Sequence, residues 1–410
     1  MDTAAPRTHS PHAPRELQPW QVLAAGVCAL LLTVGLARFA YTPLLPVMQD
    51  QAGLSAAAGG WLASWNYAGY MAGCWVATWL HQPRLRFAAY RLCLVAGVIG
   101  TAGMGLTQTL WVWGLLRFIA GVAAVGGMLL GSGMVLAWLV THGRRPELGI
   151  HFIGLGLGLA VSGVAAMLMA HHLDWAAQWQ ALGLLTVLLA VPAWHWMPAP
   201  APKPATAAPA AAAGPAAATT PRLGLLLPAA YFCAGVGYVI SATFLVAIVV
   251  RQPGMAGGGN LTWVVVGLAA APAVLWWDRL ARRAGDVRAL LAAYAVQIVS
   301  FLLPLFFEGL AAALLGAVLY GATFIGIVGL TLAYVGRHEP ANPARAMARL
   351  TLSYGAGQIL APAVAGQIAQ HTGSYQGALW MAATVMALGM VLLGLLDRQQ
   401  RRLAAERAAV

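Results

Sequence analysis

Twelve runs of about 20 or more apolar residues, parted only by short stretches carrying Arg, Pro or Gly, fill most of the chain. A helix of that length crosses the hydrocarbon core of a bilayer, where the backbone must satisfy its own hydrogen bonds. The expected spans are 20–45, 57–80, 87–107, 110–139, 148–170, 176–197, 223–250, 260–280, 288–307, 310–336, 345–370 and 375–396. The runs are continuous, which excludes a transmembrane barrel built from alternating segments of about ten residues. With 60% hydrophobic and 8% charged residues, the 410-residue chain also falls outside the soluble classes.

Charge placement sets the orientation. The formal net charge is +12, from 23 Lys and Arg against 11 Asp and Glu. In a polar protein that excess would point to nucleic acid, but here the basic residues sit in clusters between apolar runs, with no aromatic-interleaved basic face. With the N-terminus in the cytoplasm, Arg251 alone falls in an outside loop, Arg38 and Arg117 fall deep within spans, and every other Lys or Arg lies inside or at the inner end of a span. Such asymmetry is the positive-inside pattern and supports twelve helices with both ends cytoplasmic. The run starting near Trp20 is too long for a signal peptide and reads as a retained first span. Cys28, Cys74, Cys93 and Cys233 all lie in apolar stretches without a CxxC pair, so neither a disulfide framework nor a zinc site is expected.

Between spans six and seven lies an Ala/Pro-rich stretch of low complexity, read as a semi-extended linker. The expected organisation is a cytoplasmic tail at 1–19, a six-helix bundle at 20–197, a cytoplasmic linker at 198–222, a second bundle at 223–396 and a cytoplasmic tail at 397–410. Positional echoes support an internal repeat. The basic loops "WLHQPRLR" and "WWDRLARR" follow spans two and eight, and spans five and eleven both rise from a basic loop into a Gly-rich helix. Paired halves of this kind are a transporter architecture, with the solute site between them near the membrane midplane.

The residues resemble those of the major facilitator superfamily over essentially the whole chain. "DRLARR" at 278–283 looks like that superfamily's acidic-basic loop motif, whose first-half counterpart has lost the acid, and "RFIAG" at 117–121 looks like its membrane-embedded Arg-x-x-x-Gly motif. More narrowly, "GLARFAYTPLLPVM" at 35–48, "GWLASWNYAGYMAG" at 60–73 and "TLSYGAGQILAPAVAG" at 351–366 are similar to the bacterial YbfB/YjiJ-like permeases. The resemblance implies an all-α fold of two six-helix bundles and a transport role in a bacterial inner membrane. It implies no substrate.

Charges at membrane depth are costly and usually functional. Arg38 and Arg117 stay protonated at any working pH, so each needs a partner, either a bound anion or polar groups of the protein. The expected cavity lining is Arg38, Tyr41, Asn66, Tyr67, Tyr70 and Arg117 from the first half and Tyr238, Tyr320, Tyr354 and Gln358 from the second; helix packing is the competing reading of each. Asp278, Arg279, Arg282 and Arg283 suit a cytoplasmic latch. Gly154 and Gly158, within "GLGLGLAVSG", suit a hinge or gate between halves rather than a dinucleotide site, because no strand precedes them. The proton-coupling candidates are Asp50, His151 and Glu308. Pro43, Pro46, Pro272, Pro304 and Pro362 suggest local helix breaks.

The leading expectation is a secondary active transporter moving a small solute, an organic anion by the count of buried charges, through alternating access. A proton-coupled exporter of drug-like or neutral metabolites is the alternative, and a non-transporting membrane sensor a third. Nothing points to an enzyme: no GxxxxGK[ST] occurs, and His171, His172 and Asp174 lack the further ligands of a metal site. Expected partners are the small-molecule substrate, the lipid bilayer and protons as the candidate coupling ion. No cofactor, metal or nucleic acid is expected, and a monomer is the default.

Overall fold

The computed structural model describes residues 17–145, 148–199, 224–255, 257–338 and 343–408. The N-terminal tail to residue 16 and the linker from residue 200 lie outside the described residues. The rest is helical throughout. In chain order the rods are α1 (Pro19–Ala52), α2 (Ala56–Trp79), α3 (Pro83–Leu106), α4 (Leu110–Thr141), α5 (Gly149–Met169) and α6 (Trp175–His195). They continue as α7 (Leu226–Val250), α8 (Gly258–Ala270 and Ala273–Ala284), α9 (Asp286–Phe306), α10 (Leu310–His338), α11 (Pro343–Thr372) and α12 (Gln376–Ala408).

Local chemistry sets the ends. Ser55 Oγ accepts from Ala58 N at 3.1 Å and Asp174 Oδ1 accepts from Ala177 N at 2.8 Å, capping α2 and α6. Gly53, at φ 68°, ends α1 in a left-handed turn that a side chain would resist. Among the described residues nine helices are long and apolar enough to cross a membrane, or ten when the two pieces of α8 count as one span. The remaining two, α2 and α11, are 24 and 30 residues long but more polar, because they carry Asn66, Tyr67, Tyr70, Tyr354 and Gln358. Large apolar side chains such as Leu92, Leu168 and Leu184 face outward as a lipid surface. Exposed Trp20, Trp79 and Trp111 stand near rod ends, as interfacial anchors do.

Helices α1–α6 pack on one another, as do α7–α12. Between the two groups the main seams are α2 on α11, α5 on α8 and the end of α1 on α7. Small residues make the approach possible: a Cβ on Gly267 would stand 2.5 Å from Gly156 O, and one on Gly366 would stand 2.6 Å from Ala56 O. Gly154 and Gly158 instead pack against α1, at Val27 and Gly35, so the expected gate contact of α5 is made by Gly156 and Gly163 on the neighbouring face. Among the described residues, the hydrogen bonds joining the groups are Thr42 to Ala242 O, Gln49 Nε2 to Tyr375 Oη (2.9 Å), Arg251 Nη2 to Gln49 Oε1 (3.1 Å) and Trp263 Nε1 to Ser162 Oγ (3.1 Å). All lie toward the end of the molecule opposite the linker, here the distal end. Arg251 also covers the Tyr375 ring, its Cζ 4.8 Å from the centroid.

Three rods depart from regular winding in their interior, and α3 ends in a 3-10 turn over Gly103–Leu106. α8 bends by 47° at Pro272. α1 winds as a π-helix over Leu31–Phe39 and α4 does so over Gly126–Gly131. Pro46, Pro304 and Pro362 sit within continuous helices. The α1 distortion is strapped by Arg117 on α4, whose Nη1 and Nη2 donate to Ala37 O and Arg38 O, both at 2.9 Å. Its guanidinium lies 4.5 Å from the Tyr41 ring centroid, Tyr41 Oη donates to Gly59 O at 2.9 Å, and Asn66 Nδ2 donates to Arg117 O at 2.9 Å. Arg117, Tyr41 and Asn66, all expected in the cavity lining, are thus engaged in holding α1, α2 and α4 together.

Two substitutions probe these contacts. Arg117→Ala leaves two buried carbonyls without their charged donor and should cost about 3 kcal/mol, read as a lower thermal midpoint in detergent. Gly267→Val drives a branched side chain into Gly156 and should cost about 1–3 kcal/mol by the same measurement, whereas the open Gly394 should accept Ala with no loss.

Candidate functional site

A cavity of about 220 Å³ lies between the two helix groups, reaching from mid-depth toward the linker end. The first group contributes Arg38, Phe39 and Tyr70, with Met128 and Leu155 nearer the linker end; the second contributes Tyr231, Tyr238, Phe324, Tyr354 and Gln358. Its volume is below the ~300–1,000 Å³ of sites for drug-sized ligands. A small metabolite fits that space.

Arg38 sits at its wall, on the π-wound part of α1, and only 7% of it is exposed. The Cζ atom lies 4.5 Å from the ring centroids of both Tyr67 and Tyr70 and 5.3 Å from that of Phe39. Ring faces stabilise a cation without neutralising it. Nε is buried with no hydrogen-bond partner, and Arg38 is absent from every ion pair among the described residues. No Asp or Glu among those residues is buried. The cavity therefore carries a positive charge with no protein counter-charge.

The opposite wall is aromatic. Tyr231 and Tyr354 stack at 4.4 Å and 21°, Tyr354 and Tyr238 at 5.9 Å and 21°, and Tyr238 and Phe324 at 5.4 Å and 20°. Tyr67 meets Tyr238 edge-on at 6.4 Å, so Arg38's cage touches this wall directly. Tyr320 stands behind it, donating from Oη to Tyr238 O at 2.9 Å. Gln358 lies one turn beyond Tyr354 and lines the cavity.

The expected lining residues thus divide. Arg38, Tyr70, Tyr238, Tyr354 and Gln358 border the cavity, Tyr67 cages Arg38, and Tyr41, Asn66, Arg117 and Tyr320 lie behind as supports. Phe324 and Met128 were not expected there. Phe324 falls four residues after Tyr320 and so shares its helix face, a signal visible in the sequence; Met128 depends on the π turn of α4, which no apolar pattern reveals.

The other candidates stand off the cavity. His151 is buried, with Nε2 2.8 Å from Ser132 Oγ and its ring against Gly26, between α1, α4 and α5. Asp50 and Glu308 are exposed at the distal end. Asp278 pairs with Arg282 one turn along the same helix, Arg279 reaches Leu275 O at 3.4 Å, and Arg283 is exposed. Among the described residues, the ion pair that joins two rods there is Arg337 on α10 with Asp286 on α9, at 3.0 and 2.5 Å. Asp174, beside His171 and His172, is occupied as the cap of α6.

The geometry has counterparts among known proteins. The sequence model of a family described as "Uncharacterised MFS-type transporter YbfB" matches residues 30–394. No curated protein matches the chain. Among solved structures, a single-substitution mutant of the nucleoside transporter NupG is similar at TM-score 0.73 and 15% identity, over 92% of this chain and 99% of that one. NupG without that substitution gives 0.69 and 16%, over 92% and 98%. A bacterial homologue of the human lysosomal transporter Spinster, inward-facing and unoccupied, gives 0.63 and 17%, over 94% and 96%. Identities this low establish the fold alone. The family match covers most of the chain, so this multi-pass protein belongs to the YbfB-like family of major facilitator superfamily membrane transporters, which are not enzymes.

Proposed function

We propose that the protein is a secondary active transporter of a small organic anion, alternating access to the cavity by rocking its two helix groups. The observation that carries this reading is Arg38: a permanent cation, 7% exposed, at a cavity wall with no acidic partner among the described residues. A carboxylate supplies the missing charge and takes the guanidinium fork in a bidentate contact. The joined distal end and the cavity reaching toward the linker end correspond to a state facing the linker side. Asp50, His151 and Glu308 do not line the cavity, and the reading gives them no proton step within it.

The proposed setting is a bacterial inner membrane with the termini and the linker in the cytoplasm. Among the described residues the distal end carries Arg251 as its one Lys or Arg, while Arg84, Arg86, Arg144, Arg145, Arg279, Arg282 and Arg283 cluster at the linker end. That is the positive-inside arrangement. A neutral planar solute is the second reading, favoured by the aromatic wall.

Two measurements test these statements. In proteoliposomes, Arg38→Gln should lower uptake of a transported carboxylate by about a hundredfold or more; uptake left intact, or a purified protein that prefers cationic dyes to monocarboxylates, amino acids and sugars, would remove the anion reading. A neutral solute would be carried equally well by the variant. Cysteine placed in the 198–222 linker should react with an impermeant label only after the cells are opened, and labelling of intact cells would overturn the orientation.

A further inference from the structure

On the anion reading, we infer that the solute is a flat aromatic monocarboxylate, a single ring bearing one acid group. The first support is charge stoichiometry. Arg38 is the one charged side chain lining the cavity among the described residues, and the fork of Arg117 is already spent on Ala37 O and Arg38 O. One carboxylate is neutralised; a second would be buried beside apolar and aromatic side chains with no cation to meet it.

The second support is ring orientation. Tyr231, Tyr354, Tyr238 and Phe324 all border the space, and successive rings are tilted by only 21°, 21° and 20°. Their shared orientation defines a direction in which a planar solute can extend the stack. An aliphatic acid gains the guanidinium contact and little from that wall. The third support is size: at about 220 Å³ the space is small beside the ~300–1,000 Å³ of sites for drug-sized ligands, which favours a single-ring solute.

Polar tips complete the fit. Tyr231, Tyr354 and Gln358 border the cavity, and their hydroxyls and amide make no hydrogen bond to the protein among the described residues. They can receive a neutral polar substituent, such as a ring hydroxyl, on the solute's far edge.

The test is transport by the purified full chain in proteoliposomes at alkaline pH against protein-free vesicles. The solutes are benzoate, para-hydroxybenzoate, propionate, terephthalate, uridine and benzylamine. The two aromatic monocarboxylates should be carried at least about tenfold more efficiently than propionate, with terephthalate excluded. Phe324→Leu and Tyr354→Leu should each raise the benzoate KM about three- to tenfold and leave propionate unmoved. Thermal midpoints of both Leu variants in detergent, matching that of the unsubstituted protein, separate loss of stacking from loss of folding. Propionate carried as well as benzoate, or terephthalate carried equally, would overturn the aromatic monocarboxylate while leaving the anion site standing. If every acid is inert and uridine or benzylamine moves instead, both readings fall.

Discussion

A guanidinium inside a hydrocarbon slab must be given a partner, and this fold is organised around two of them. Arg117 spends both terminal nitrogens on two carbonyls of α1 and lies against the face of Tyr41, with only its Nε left without a partner. Arg38 is met chiefly by ring faces, which lower the cost of burial and leave its Nε without a partner. The two are linked, because one of the carbonyls Arg117 holds belongs to Arg38. The structural arginine thereby fixes the backbone that presents the other to the cavity.

Small residues set where the halves can approach. Gly60 and Gly366 on one seam bring backbones together toward the distal end, and Gly156 and Gly267 do so on the other near mid-depth. Arg251, Gln49 and Tyr375 add a polar clasp at the same end, where water can replace each of its bonds. Close packing of small groups with an exchangeable clasp gives a contact in which only the buried Thr42 and Trp263 bonds must find new partners when the groups separate. A seam of interlocked large side chains would not part so easily.

The sequence made the rods legible because an apolar run of bilayer length has one economical fold, and the buried charges stood out for the same reason. Individual roles were less legible. Arg38 and Arg117 look equivalent in sequence, each a lone Arg in an apolar span, and they diverge only because the π turn of α1 presents Ala37 O and Arg38 O to α4. Winding of that kind leaves no mark on hydropathy. Gly154 and Gly158 were placed on the correct helix but one face away from the seam, since a run with glycine at every second position has small residues on several faces. Gln358 and Tyr354 were readable from their one-turn spacing, which survives in a straight helix.

The two groups bring unlike chemistry to the cavity. The first supplies the charge through Arg38, and the second supplies most of the flat apolar surface and the free amide. In the proposed reading neither wall alone holds an anion well: a guanidinium facing water binds a carboxylate weakly, and an aromatic wall without a cation has no purchase on charge. A solute that satisfies both must bridge α1 and α2 on one side to α7, α10 and α11 on the other. Binding then draws the groups together around it, and a ligand that favours the closed arrangement of two rocking bodies shifts the population toward the occluded state through which alternating access must pass.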